Sequence, residues 1–223
     1  MTIGTMQERS LHAALKEWYA RPGDRVEEAV DGFVVDVCRG DLLVEIQTRN
    51  FSAIKRKLTT LSEAHRVRLV HPIAQEKWIV RLAPDGLSLL GRRKSPKRGS
   101  PLQVFDELVS CPELMAHPNF SLEVLLTRED EVRRQLPSPR RRRKPWRRHD
   151  RQLIEVVGRM VFRDPADFRV FLPDGLPDPF TTQDLAQALS QSQYLAQQMA
   201  YCLRKMGAIS VVGKRGNALL YSV

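Results

Sequence analysis

Cysteine is scarce in this sequence of 223 residues, and its three cysteines, Cys38, Cys111 and Cys202, lie far apart. Their odd number and wide spacing do not form a metal-ligand pattern, so we expect reduced thiols in a cytoplasmic protein. The sequence also has no run that approaches the roughly 20 apolar residues of a membrane span. Its first residues lack the apolar segment of a secretion signal. We therefore expect no contact with a membrane and no secretion.

Acidic residues are also fewer than basic ones, with 26 Asp and Glu against 36 Lys and Arg, and the formal net charge is +10. Such an excess favours a polyanionic partner. Much of it lies in one segment that prolines interrupt, whose cations are Arg140, Arg141, Arg142, Arg143, Lys144, Arg147, Arg148 and Arg151. A block of like charges repels itself and has little to bury, so we interpret residues 136–150 as an extended linker that binds nucleic acid.

Two short apolar runs, at residues 33–38 and 42–46, flank the turn residues Gly40 and Asp41 and predict a β-hairpin. If these two residues form the turn, Arg39 faces residue 42, and counting back along both strands places Asp36 opposite Glu45. Side chains of such partners share a face, with Cβ atoms roughly 5 Å apart. Gln47 falls on that same face, because side chains alternate along a strand.

Two carboxylates at this distance repel each other unless a cation lies between them. A hard divalent ion that prefers oxygen ligands, such as Mg2+, suits the position. The alternative is an ordinary hairpin with Asp36 and Glu45 on its solvated face. Against this alternative, Glu45 lies inside a nearly continuous apolar run, which is typical of a strand covered on both faces.

An Asp on one strand, a turn, and then Glu-x-Gln on the next strand resembles the active site of the PD-(D/E)xK nuclease superfamily. The resemblance covers residues 10–82 and implies a restriction-endonuclease-like fold that hydrolyses phosphodiester bonds. It also implies that Asp36, Glu45 and the backbone carbonyl of Ile46 bind Mg2+ or Mn2+. In this superfamily Lys is usual at the position of Gln47. A neutral amide can orient a water molecule but cannot supply the positive charge of Lys, and Lys57, or alternatively Lys55, is the candidate to supply it.

The first helix offers two further candidates for the site. In this superfamily it often contributes an acid, and Glu8 and Glu17 are equally suitable by spacing. His12 and Lys16 lie four residues apart on one face of the predicted helix, as at the start of some competence-associated members of the superfamily. A partly exposed surface histidine is the alternative for His12.

The pattern of the first 135 residues alternates helices and strands. Helices are predicted at 10–20, 53–61 and 102–109, and strands at 26–30, 33–37, 42–46, 67–70, 78–82 and 120–126. The order helix, hairpin, helix, strand is that of the nuclease core and predicts a mixed α/β sheet over residues 8–135. The helix after the Glu-x-Gln strand would aim its first amides at an anionic ligand. A basic cluster at residues 92–98 is interpreted as a loop that tracks a phosphate backbone or serves solubility.

Residues 151–223 predict a second domain. Helices are expected at 151–162, 181–189 and 193–206, followed by a hairpin at 208–223. This order resembles a winged helix-turn-helix domain, in which the third helix enters the major groove. Gln193, Tyr194 and Gln197 would then contact bases, and Lys214 and Arg215 would bind phosphates. Some winged helices bind proteins instead.

The sequence thus predicts an α/β protein with a restriction-endonuclease-like domain, an arginine-rich linker and a winged helix. The expected function is metal-dependent DNA cleavage in repair, recombination or defence. One alternative is a DNA-binding transcriptional regulator built on a degenerate nuclease fold. Another is an adaptor that binds a protein through its winged helix and RNA through its linker. The sequence is compatible with a homodimer. RNA is an alternative to DNA as the bound nucleic acid.

Overall fold

The computed structural model of the protein describes residues 10–136 and 146–223. Its regular elements are α1 Ser10–Tyr19, β1 Arg25–Val30, β2 Phe33–Arg39, β3 Leu42–Ile46, α2 Lys55–Ala64, β4 Arg66–Leu82, β5 Leu89–Lys94, α3 Phe105–Leu108, β6 Phe120–Gln135, β7 Trp146–Phe162, α4 Thr182–Leu189, α5 Gln193–Met206, β8 Ser210–Arg215 and β9 Ala218–Ser222. Short 3-10 helices lie at Phe51–Ala53, Pro101–Val104, Pro112–Ala116 and Pro165–Phe171. Within these two ranges, no helix is both long and apolar enough to cross a bilayer.

A large mixed sheet organises the molecule, and its strands follow the order β1-β2-β3-β4-β6-β7, with β5 also paired to β4. Strand β4 is parallel to β3 and to β6, whereas the other pairs are antiparallel. The parallel connection from β3 to β4 runs through α2, as such connections require a crossover. The predicted α/β class with a mixed sheet flanked by helices is confirmed.

Helices cover both faces of this sheet. On one face α1 buries Leu11, Leu15 and Tyr19 against Val37 and Val44 of the hairpin. On the other face α2, α3, α4 and α5 contribute to a second apolar cluster, represented by Leu58, Leu108, Leu185 and Met199. The hairpin strands lie between the two layers, which explains their nearly continuous apolar sequence.

The register of the β2 and β3 hairpin agrees with the prediction. Arg39 pairs with Leu42, and Val37 pairs with Val44. Val37 and Val44 form the last regular pair, and the same register would place Asp36 opposite Glu45 at the next position. The strands predicted at 67–70 and 78–82 form one continuous strand, β4, and the cations Arg92, Arg93 and Lys94 lie in β5 rather than in a loop.

The helix predicted at residues 151–162 is wrong, because these residues belong to β7. Residues 146–150, which we expected to be part of an extended linker, belong to the same strand, and β7 pairs with β6 along its length. Residues 137–145 of the expected linker lie outside the described residues. The sheet therefore continues as far as Phe162, where a helix of a second domain was expected.

The remaining C-terminal elements follow the predicted order. A reciprocal capping box between Thr181 and Asp184 begins α4, the Ser192 hydroxyl caps α5, and Gly207 ends α5 in the left-handed conformation. Strands β8 and β9 form the terminal hairpin. In place of a first helix, this unit has the 3-10 helix Pro165–Phe171, which packs its phenylalanines into the second apolar cluster.

Candidate active site

The regular backbone pairing of β2 with β3 ends at Val37 and Val44, and the next residue on β2, Asp36, makes side-chain contacts instead. Its Oδ2 atom accepts a hydrogen bond of 2.8 Å from the backbone amide of Ile46. The Nε2 atom of His12, on α1, lies 3.2 Å from the same oxygen. The carboxylate of Asp36 is thus held between a strand and a helix, and His12 is part of the site rather than an isolated surface histidine.

Glu45 lies beside Asp36 and is almost fully buried, with 5% of its surface exposed. The Nζ atom of Lys57, on α2, lies 2.5 Å from Glu45 Oε1 and also donates a hydrogen bond of 2.5 Å to the carbonyl of Val34. Of the two lysines considered from sequence, Lys57 reaches the carboxylates, whereas Lys55 binds the carbonyl of Ser110.

The electrostatics of the pair show that Asp36 acts on Glu45. Burial and the neighbouring charge of Asp36 raise the pKa of Glu45 to about 7, although Lys57 and the backbone amide of Asp36 oppose the shift. Burial alone would raise the pKa of Asp36, but hydrogen bonds from His12 and the Ile46 amide, together with the charges of His12 and Lys57, lower it. Asp36 is therefore ionised, whereas Glu45, with its pKa of about 7, is only partly ionised at neutral pH.

Gln47, the third residue of the Glu-x-Gln motif, is anchored by its neighbours. Its side-chain Nε2 donates to the carbonyl of Asn50 at 3.1 Å, and its own carbonyl lies 2.7 Å from Nδ1 of the buried His71. Of the two acids considered on the first helix, Glu17 is exposed and Glu8 lies outside the described residues. Lys16 forms an ion pair with Glu27 of β1.

A carboxylate of the protein occupies the amides that were expected to bind an anion. The backbone amides of Asn50 and Phe51, just after β3, donate to Glu107 Oε2 at 2.6 and 3.2 Å. Glu107 comes from α3, which is 57 residues away from Asn50 along the chain, and no local sequence signal marks the contact.

Asp36 and Glu45 provide some, but not all, of the oxygen ligands that a hard divalent ion needs. Among the described residues, no group of three or more His, Cys, Asp and Glu side chains gathers as a metal site. Asp36 and Glu45 offer two carboxylates, and the main chain of Ile46 already lies against Asp36. Mg2+ is commonly held by one or two carboxylates, with waters and substrate phosphates completing its shell. Because Oε1 of Glu45 is paired with Lys57, a metal ion would share this carboxylate with the ammonium group.

Basic residues surround a cleft next to the Glu-x-Gln motif. The cleft has a volume of about 530 Å3 and is lined by Leu11, Thr48, Arg49, Arg147, Arg148, His149, Asp150 and Arg151. A second cleft of about 290 Å3 shares Thr48 and Arg151 with the first and extends to Lys97 and Arg98. Arg147 and Arg148 are exposed, whereas Arg140, Arg141, Arg142, Arg143 and Lys144 lie outside the described residues.

The residues expected to contact DNA from the winged helix lie on the C-terminal unit. Tyr194 and Gln197 are exposed on α5, and Lys214 is exposed on β8. The side chain of Gln193 donates to Thr182 at 2.7 Å. Arg215 forms an ion pair of 2.8 Å with Asp184, so its charge is partly engaged within the unit.

Two comparisons with known proteins find relatives of this chain. The family model described as a domain of unknown function, DUF8091, matches residues 9–163, which end next to the last residue of β7. A protein of Treponema pallidum (strain Nichols) that carries the name "Uncharacterized protein" is 33% identical over 222 residues, covering 99% of this chain and 87% of that protein. No solved structure matches the chain.

Proposed function

The chain belongs to the family described as domain of unknown function DUF8091, and we propose that it is a metal-dependent DNA endonuclease that hydrolyses phosphodiester bonds. The observation that carries the proposal is the convergence of Asp36 and Glu45 at the end of the β2 and β3 ladder. Burial and the charge of Asp36 raise the pKa of Glu45, and Lys57 lies against Glu45. A buried acid whose pKa is raised by burial together with a neighbouring charge is typical of catalytic sites.

The order of elements supports a restriction-endonuclease-like core. A helix, three antiparallel strands, a helix and a parallel strand follow one another as α1, then β1, β2 and β3, then α2 and β4. The proposal assigns Asp36, Glu45 and Gln47 to the positions of the superfamily motif. It gives Lys57, which lies against Glu45, the role of the missing lysine.

Mg2+ or Mn2+, held by Asp36, Glu45 and the carbonyl of Ile46, would lower the pKa of a bound water and stabilise charge on the phosphate. The protein's own groups prepare this site. His12 and the Ile46 amide fix the orientation of Asp36, and Lys57 places a positive charge where negative charge develops on the phosphate oxygens. Gln47 would orient the attacking water through its amide oxygen, since its amide nitrogen is bound to Asn50.

The C-terminal unit supplies the proposed DNA contacts beyond the cleavage site. Its order of helices and hairpin supports a winged helix, with the exposed start of α5 contacting bases through Tyr194 and Gln197. Lys214 on β8 would bind phosphate, and the basic segment at 140–148 would add further phosphate contacts. We propose DNA as the partner, with RNA as the alternative nucleic acid.

A second candidate function is that of a DNA-binding regulator without catalysis. It is favoured by one observation, that the ammonium group of Lys57 already supplies a cation to Glu45. In that case the carboxylate pair would be a structural ion cluster, and DNA binding would not depend on a divalent ion.

Incubation of the protein with supercoiled plasmid and Mg2+ or Mn2+ tests the proposal. We expect nicked or linear DNA from the wild type and a rate at least about 100-fold lower from Asp36→Asn and Glu45→Gln, because each loses a charged group at the reacting phosphate. The matched controls are Asp41→Asn and Glu28→Gln, which remove the same charges from exposed and half-exposed positions of the same β-sheet region. Cleavage that persists in both site variants would overturn the proposal, and binding without any cleavage would favour the regulator.

A further inference from the structure

The neighbouring strands β5, β4, β6 and β7 form a charged surface of the sheet. Ile79 pairs with Arg93 and with Glu131, which in turn pairs with Arg151. Residues paired in this way share a face of the sheet, and so do residues two apart on one strand. By this register one face collects six cations, which we call the arginine face: Lys77, Arg81, Arg93, Arg133, Arg148 and Arg151.

Buried carboxylates hold part of the arginine face in place. Arg151 makes two hydrogen bonds of 2.7 and 2.8 Å to Glu129, and Lys77 lies 2.9 Å from Glu131, which also pairs with Arg133. Glu129 and Glu131 are 1% and 6% exposed. The two acids therefore lie beneath their basic partners. Among the described residues, the arginine face has six cations and two acids.

The other cations of the arginine face are not neutralised by acidic side chains of the described residues. Within the described part of the chain, neither Arg93 nor Arg148 forms an ion pair or a side-chain hydrogen bond, and both are exposed. The guanidinium of Arg81 lies 4.9 Å from the ring centre of Trp146, which orients it without neutralising its charge.

The opposite face of the same strands is nearly balanced in charge. Its cations Arg92, Lys94 and Arg128 form ion pairs with Asp130 and Glu76, and Arg128 also with Glu155. By the register, Arg134, Arg147 and Asp150 also lie on that face, so five cations there meet four acids among the described residues, against six and two on the arginine face. The excess positive charge belongs to one side of the sheet, which a general need for solubility does not explain.

The arginine face leads to the proposed active site. Arg148 and Arg151 line the larger cleft together with Thr48 and Arg49, which directly follow Gln47. The rows from residue 77 to residue 81 extend about 13 Å along the strand, which is the rise of about four base pairs. A phosphate backbone lying along these rows would continue into the cleft.

We propose that the arginine face binds the phosphate backbone of duplex DNA and guides it to the cleft lined by Thr48 and Arg49, next to the Glu-x-Gln motif. This inference rests on the proposed function, since it describes how the substrate of that site is held. Guanidinium groups bind phosphates through paired donors, and such contacts position the nucleic acid without reading its sequence. The buried Glu129 and Glu131 fix the geometry of the contacts but leave the face strongly positive.

Fluorescence anisotropy with a labelled 20-base-pair duplex in EDTA tests the inference in the full-length protein. The face variant combines Arg93→Gln, Arg133→Gln and Arg148→Gln. Its matched control combines Arg92→Gln, Lys94→Gln and Arg128→Gln, which removes the same charge from the opposite face of the same strands. We expect the face variant to lose affinity by about 10-fold or more and its salt-dependence slope to fall by about 2.7, since each phosphate contact contributes roughly 0.9. The control should stay within about twofold of the wild type.

Equal losses in the two triple variants would overturn the inference, because net charge rather than the arginine face would then control binding. Unchanged binding in the face variant would overturn it as well and would leave the face to another polyanion, such as an acidic protein. A circular dichroism melt checks that both variants fold. Because EDTA prevents metal-dependent cleavage, the result is separate from the plasmid assay: a selective loss in the face variant with no plasmid cleavage by the wild type would contradict the endonuclease proposal alone.

Discussion

Glu45 is a carboxylate that the fold buries next to a second carboxylate, and Lys57 is the nearest positive charge. A buried acid whose neighbour is ionised retains its proton at a higher pH than an exposed one. Its ionisation at neutral pH depends on what else is positive nearby. The buried pair therefore costs stability, and under the proposed function a divalent ion would offset this cost.

This cost predicts a dependence of stability on pH. The pKa of Glu45 is about 7 in the folded protein, above its ordinary value of 4.5. Between these pH values the folded protein keeps a proton that the unfolded chain has released, so the free energy of unfolding falls by about 3 kcal/mol as pH rises from 4.5 to 7. Urea unfolding across this range should show that Glu45→Gln lacks this component, whereas Asp41→Asn keeps the wild-type slope. Parallel slopes for Glu45→Gln and the wild type would contradict the assigned environment of Glu45.

The two lysines at the start of α2 should differ in their effect on stability. Lys57 pairs with the buried Glu45, whereas Lys55 lies 3.9 Å from the half-exposed Glu113. Removal of one partner from a buried pair leaves an uncompensated charge, so Lys57→Met should lower the free energy of unfolding at pH 8 by about 3 kcal/mol. Lys55→Met should lower it by less than about 1 kcal/mol. Urea unfolding measures both, and equal effects would contradict the burial of the Lys57 pair.

At the residue scale, the sequence predicted the hairpin well, because turn length and strand alternation are local properties. The pairing of Arg39 with Leu42 and the placement of Asp36 near Glu45 followed from them. The contact of His12 with Asp36 spans 24 residues and depends on how α1 packs on the sheet, so spacing alone left it open. The contact of Glu107 with the Asn50 amide depends on packing over a still longer separation and was missed.

At the scale of elements, β7 shows how a strand can imitate a helix in sequence. Its pairing with β6 contains register shifts that leave Ile154 and Val157 as extra residues. Side chains of a strand alternate between the two faces of the sheet, and each extra residue shifts this alternation by one position. Leu153 and Val156 therefore both contact the apolar cluster under α1, at a spacing of three residues. That spacing is the one from which a helix was predicted.

A close backbone contact at a β-bulge predicts an effect at Gly99. Its amide donates to the carbonyl of Ala74, beside the register shift in β4, and a Cβ atom added at Gly99 would lie 2.3 Å from that carbonyl oxygen. Gly99→Ala should therefore reduce the free energy of unfolding by about 1 to 3 kcal/mol through steric strain. Gly213→Ala is the matched control, since the nearest atom to its added Cβ is 3.9 Å away. Urea unfolding that shows no difference between the two variants would contradict the close approach.

At the scale of the whole molecule, the C-terminal unit shares its apolar core with the sheet. Phe162 at the end of β7 stacks on Phe168 at 4.4 Å between ring centres, and Phe105 of α3 contacts Phe168 and Phe171. The helices α4 and α5 of this unit were predictable from caps and apolar spacing. Their attachment to the sheet was not predictable, because the basic segment in the sequence indicated a separating linker.

The shared core predicts cooperative unfolding of the two parts. Differential scanning calorimetry of the full chain should show one transition whose calorimetric and van't Hoff enthalpies agree, as expected for a single cooperative unit. A chain that ends at residue 163 would expose the phenylalanine cluster and should aggregate or melt well below the full-length protein. Two separate transitions would contradict the continuous core.

The most direct measurement on the carboxylate pair is calorimetric titration of Mn2+ into the DNA-free protein at pH 8, where the pKa of about 7 leaves Glu45 largely ionised. We expect binding to the wild type and to Asp41→Asn, and a loss of at least about 10-fold in affinity for both Asp36→Asn and Glu45→Gln, because Mg2+-like ions rely on the few carboxylates available to them. Equal affinity for the wild type and both site variants, or no binding to the wild type, would contradict the claim that Asp36 and Glu45 hold a cation together.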